Sequence, residues 1–104
     1  MNEVVVVSGV RTAIGDYGAG LKDVPPTRLG SIAIKEAILR AKVDPASVGH
    51  VVMGSVIHGE ARDMYLSRVA AVDAGLPVGT PCLTVNRLCG YRTRESASPP
   101  ISSA

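Results

Sequence analysis

At 104 residues, 46% hydrophobic and 19% charged, the chain is sized for one compact domain and is too short for a multi-domain enzyme. A domain this short buries only roughly 65% of the surface its unfolded chain exposes, so little stability is left once conformational entropy is met. Eleven Lys and Arg against nine Asp and Glu leave a formal charge of +2 spread along the sequence, too weak a field to expect nucleic acid or a membrane as partner.

The three tyrosines are the only aromatic residues, so the core must come from Val, Leu, Ile and Ala. Met1, Asn2 and Glu3 form no basic leader, and the apolar run after them is short. Neither export nor a membrane span is expected. Two cysteines seven positions apart without a secretory signal suit reduced thiols and a cytoplasmic location.

In chain order, the run of Val4, Val5, Val6 and Val7 predicts a strand over residues 3–8, buried on both faces because no polar residue interrupts it. Gly15, Gly18, Gly20 and Pro25-Pro26 then predict a connecting loop. Thr27 is a candidate cap for a helix over residues 28–41. Arg28, Ser31, Lys35 and Lys42 form a narrow polar stripe on it, and Leu29, Ala33, Ile34, Ala37, Ile38 and Ala41 cover the far side. Asp44-Pro45 signals a turn, and residues 48–57 predict a second strand. Asp63 is a candidate cap for a short helix carrying Met64, Leu66, Val69, Ala70 and Val72, which Gly75 and Pro77 end in the expected order. Residues 81–86 predict the third strand.

Strand, helix, strand, helix, strand is the order of an α/β domain with a mainly parallel sheet. After Gly90 the composition changes. Residues 91–104 hold Arg92, Arg94, four serines, Pro99 and Pro100, and Ile101 is their only aliphatic residue larger than alanine. No period gives this segment an apolar face, so the expectation is a disordered, non-native tail behind a partial domain of residues 1–90.

Cys89 stands just past the third strand, with Gly90 next to it to permit a tight turn. A helix starting there would stabilise a thiolate and later an oxyanion through its free amides, but the sequence after Gly90 does not spell one. The string Leu83-Thr84-Val85-Asn86-Arg87-Leu88-Cys89-Gly90 resembles the nucleophile motif of the thiolases, the acetyl-CoA acetyltransferase family. Val5-Val6-Val7-Ser8-Gly9-Val10-Arg11-Thr12-Ala13-Ile14-Gly15 resembles that family's amino-terminal signature, and Val51-Val52-Met53-Gly54-Ser55-Val56 its second strand. Arg62-Asp63-Met64-Tyr65-Leu66-Ser67-Arg68-Val69-Ala70-Ala71-Val72 is most similar to the bacterial β-ketothiolases of polyhydroxyalkanoate and fatty-acyl metabolism.

The resemblance covers residues 1–90 and implies the amino-terminal part of a layered α/β/α domain. It also implies a transferase in which Cys89 is the acyl-accepting nucleophile. In the family a 3-oxoacyl-CoA is cleaved by free CoA, or an acetyl-CoA carbanion attacks the acyl-enzyme. Acyl-CoA and CoA are then substrates, no cofactor is required, and the intact enzyme is a homo-oligomer, dimer or tetramer. The family's other catalytic groups, a histidine in Gly-His-Pro and a cysteine in Cys-x-Gly, have no counterpart in these 104 residues. The expectation is therefore a truncated reading, inactive alone. A noncatalytic fragment that associates with itself or with full-length thiolase is the alternative.

Cys82 reads as a core thiol. His50 and His58 read as solvated loop residues, and these side chains lack the short paired spacings of a zinc site. Gly15, four residues and Gly20 almost imitate a phosphate loop, but Lys22 comes one place late and no Ser or Thr follows it. A Rossmann-like small-molecule binding module is the remaining alternative.

Overall fold

The computed structural model describes residues 3–88; Cys89 and the expected tail over residues 91–104 lie outside the described residues. Two α-helices, α1 (Pro26–Ala41) and α2 (Leu66–Asp73), alternate with two strands, β1 (Val51–Gly54) and β2 (Cys82–Val85). The strands pair in parallel, Val51 opposite Cys82 and Gly54 opposite Val85. A parallel pair requires a crossover, and here it is α2, so the second half of the chain is a β–α–β unit. The α/β class and parallel sheet expected from the sequence are observed. Both strands are shorter than predicted, at four residues each.

The first predicted strand does not form. Residues 3–16 have no regular structure, and Val4, Val5, Val6 and Val7 are 93%, 66%, 93% and 67% exposed. An extended run becomes a strand only when a neighbouring edge supplies its ladder hydrogen bonds, and this run pairs with neither strand. Its anchorage is to a helix instead: the Ser8 hydroxyl donates to the Ala37 carbonyl of α1 at 2.9 Å.

The first helix begins two residues early. Pro25 is its N-cap and Pro26 its first residue, because proline fixes the required φ and lacks an N–H that would go unpaired there. Thr27, the expected cap, is buried within the first turn. Its buried face also differs from the predicted one: Ser31 of the expected polar stripe is buried together with Thr27 and Gly30, whereas Leu29, Ala33, Ile34, Ala37, Ile38 and Ala41 of the expected apolar side are only half-buried. Close approach decides this. A Cβ on Gly30 would lie 3.1 Å from the Ala70 Cβ of α2 and 3.0 Å from the Met53 Cε of β1, so the helices meet where side chains are smallest. Ser31 sits on that seam by turning its hydroxyl to the Arg28 carbonyl at 3.0 Å.

The second helix is the centre of the molecule, packed against α1 and both strands. Leu66, Ala70 and Ala71, with Leu76 just beyond, form the buried apolar core. Asp63 does not cap it. A 3-10 turn (Ala61–Tyr65) comes first, with Glu60 as N-cap and Asp63 as its buried third residue, accepting the Gly59 and Glu60 N–H groups at 2.8 and 3.1 Å. The other end follows the predicted pattern. Gly75 takes φ +94, its N–H reaches the Val72 carbonyl at 3.0 Å, and the Leu76 N–H reaches the Ala71 carbonyl at 3.1 Å. No helix among the described residues is long and apolar enough to cross a membrane.

Candidate functional site at the carboxyl ends of the strands

Parallel strands point their carboxyl ends to one edge of the sheet, and the two chain segments leaving that edge meet there. The pairing extends one step beyond the strands, with the Ser55 N–H donating to the Val85 carbonyl at 2.9 Å. Asn86 follows on β2. Its Nδ2 donates to the Val56 carbonyl at 3.3 Å, across to the segment leaving β1, and its Oδ1 accepts the Leu88 N–H at 3.1 Å. Leu88 has φ +50, the left-handed region that a leucine rarely enters. Cys89 is the next residue in the sequence.

Beneath this edge, Thr84 is locked to the first turn of α2. Its Oγ1 accepts the Ser67 N–H at 3.0 Å and shares a 2.8 Å hydrogen bond with the Ser67 hydroxyl. Ser67 is 2% exposed, so this hydroxyl pair satisfies polar atoms that would otherwise be stranded in the core. On the same edge the exposed His58 brings Nδ1 to 3.4 Å from the Ser55 hydroxyl.

The other candidates lie at the amino ends. Cys82 opens β2, half-buried rather than fully within the core, with Sγ 3.4 Å from the Thr80 carbonyl. Burial raises its thiol above the ordinary range, and the positive charge of Arg68 lowers it by less. A raised thiol pKa leaves less of the thiolate that acts as nucleophile. His50 precedes β1, and instead of being solvated it has both ring nitrogens buried with no partner among the described residues. The structure thus separates Cys82 and His50 from the edge that leads to Cys89.

The glycine-rich segment forms successive turns, Ala19 N–H to Asp16 O at 3.0 Å and Lys22 N–H to Ala19 O at 3.1 Å, with Gly18 at φ +71. The helix that follows starts on Pro25 and Pro26, which remove amide donors where a phosphate cradle needs them. Neither a strand before the turns nor a free helix N-terminus after them matches a dinucleotide fold. Sequence reasoning passed over Asn86, Ser67 and Thr84. A hydroxyl inside each of two apolar runs was the available signal for the last two.

The family model described as "Thiolase, N-terminal domain" matches residues 4–93, an interval that takes in the whole described edge and Cys89. The chain belongs to the thiolase family. It is 62% identical over 88 residues to the beta-ketothiolase BktB of Cupriavidus necator, covering 85% of this chain and 22% of that protein. It is 43% identical over 90 residues to the acetyl-CoA acetyltransferase of the same organism, with 86% and 23% covered. The crystal structure of human mitochondrial 3-ketoacyl-CoA thiolase superposes with a TM-score of 0.80 at 41% identity, over 85% of this chain and 22% of that one. The same human enzyme in complex with CoA gives 0.73 at 41% identity, over 77% and 20%. This chain therefore spans about a fifth of the length of the thiolases it matches.

Proposed function

We propose that Cys89 is an acyl-accepting nucleophile and that the chain carries this one element of thiolase-type acyl transfer. The observation that supports it is the family match running through Cys89 to residue 93. In the step proposed, the Cys89 thiolate attacks the carbonyl carbon of an acyl-CoA thioester, forming a new C–S bond. The bond to the CoA sulfur breaks, and the CoA thiolate leaves with the electron pair and takes up a proton from solvent. One thioester replaces another, so the step is close to balanced in energy. CoA as the carrier is in keeping with the CoA complex of the human thiolase. A reducing, cytoplasmic setting is part of the reading, since the chemistry requires a free thiol.

A thiol near its ordinary pKa is only a few per cent thiolate at neutral pH, so turnover needs a base beside it. The Gly-His-Pro and Cys-x-Gly groups are absent from these 104 residues, and residues 91–104 contain neither His nor Cys. These residues alone therefore accept an acyl group and do not turn over. The exposure of Val4, Val5, Val6 and Val7 favours a second role beside it, association with a second copy or an intact thiolase subunit through that apolar run.

Incubation with acetyl-CoA followed by peptide mass spectrometry tests the reading. Acetyl on Cys89 and not on Cys82 is the expected result, with no steady loss of 3-oxoacyl absorbance from acetoacetyl-CoA plus CoA. Acetyl on Cys82 alone overturns the nucleophile assignment. Steady absorbance loss above a free-cysteine control overturns the inactivity.

A further inference from the structure

We propose that Asn86 is a positioning residue for Cys89, its side chain bridging the segments that leave β1 and β2 and so fixing the path by which the chain enters the nucleophile; this rests on the acyl-transfer reading above. An asparagine that only made a local turn would need one side-chain atom, the Oδ1 that accepts the N–H two residues on. Asn86 uses both. Oδ1 takes the Leu88 N–H at 3.1 Å, and Nδ2 donates at 3.3 Å to the carbonyl of Val56, 30 residues away in sequence. Aspartate could supply the first bond and not the second.

Two further observations give the bridge something to hold and something to stand on. Leu88 sits at φ +50, a conformation that persists in a non-glycine residue only when its surroundings impose it, and the bond from its N–H to Asn86 is a restraint of that kind. Beneath, the strand is pinned by Thr84 to Ser67 and by the Val85 carbonyl to the Ser55 N–H. The result is a continuous set of hydrogen bonds from the first turn of α2, through the ends of both strands, to the residue before Cys89. Acyl transfer is sensitive to such placement, because misalignment of about 1 Å is enough to cost a large factor in rate.

The test uses the full chain, with Asn86→Ala and Asn86→Asp. Transfer of acetyl from acetyl-CoA to Cys89 is expected to fall about tenfold in Asn86→Ala, the effect of two exposed hydrogen bonds of ordinary strength. In Asn86→Asp it falls by about threefold, since the acceptor for Leu88 remains. Alkylation of Cys82 by iodoacetamide stays slow in both variants, which a general loss of structure would not allow. Hydrogen exchange at the Leu88 amide reads the bridge itself and is expected to quicken in Asn86→Ala and stay near the unaltered rate in Asn86→Asp. Equal acetyl transfer in all three chains, or a Leu88 amide indifferent to residue 86, overturns the inference. Absence of acetyl on Cys89 in the unaltered chain, with the Leu88 amide still responding to residue 86, overturns the acyl-transfer reading and leaves the bridge standing.

Discussion

The two ends of the β1–β2 pair are built for opposite purposes. At the amino ends the polar groups are shielded: burial raises the half-buried Cys82 thiol above its ordinary range, and both ring nitrogens of His50 are buried without a hydrogen-bond partner among the described residues. At the carboxyl ends the polar groups are linked, Ser67 to Thr84, Ser55 to Val85, and Asn86 to both Val56 and Leu88. Within the residues from Cys82 to Leu88 the chain thus passes from a shielded thiol to a hydrogen-bonded edge that leads, in sequence, to Cys89.

The largest expected effect tests the shielding. Leu76 is 5% exposed and belongs to the buried apolar core just beyond α2, six residues before Cys82 in the sequence. Leu76→Ala should lower unfolding stability by about 3 kcal/mol, read by urea denaturation, and should speed alkylation of Cys82 at the same time. A stability loss without faster alkylation would show that the shielding does not depend on this residue.

The linked end is tested by Thr84→Val, which leaves the Ser67 hydroxyl buried without its partner. A loss of about 2 kcal/mol is expected, and Ser67→Ala combined with Thr84→Val should recover part of it, because both polar atoms are then gone. Additive losses in that double-mutant cycle would break the claim that the pair acts as a unit.

A smaller effect is expected at the glycine that ends α2. Gly75 takes φ +94, so Gly75→Ala should cost about 1 kcal/mol, seen as a lower denaturation midpoint. The smallest effect is in pH dependence. Burial lifts the folded Cys82 thiol above its unfolded value, so between those two values the folded chain keeps a proton that the unfolded chain has released. The contribution is fully present below the unfolded thiol pKa and is lost as pH rises through the folded one. Melting temperatures should fall more steeply on the alkaline side for the unaltered chain than for Cys82→Ala; parallel curves would mean that the thiol is not shielded.

Much of this was legible before any coordinates. Asp44-Pro45 marks the turn where Asp44 does accept the Ala46 N–H at 3.0 Å, and Gly75 with Pro77 ends α2 as the sequence pattern requires. These are local signals, governed by φ preferences and by side chains that reach their own backbone. The string ending in Cys89-Gly90 was equally readable, and the family match includes it. Asn86 was not. Its role depends on Val56 lying opposite, and no spacing along the chain reveals a neighbour 30 residues away.

By itself, then, the sequence determined the family, the order of the last four elements in a predicted strand–helix–strand–helix–strand series whose first strand does not form, and the position of Cys89 after the last strand. Tertiary structure alone decided that α1 turns Thr27, Gly30 and Ser31 inward, that the valine run is left exposed, and that Asn86 spans two segments. Hydrophobic pattern states which residues gain from burial. Which of them are buried depends on where two backbones can approach most closely and on which edges find a partner, and both are properties of the assembled elements.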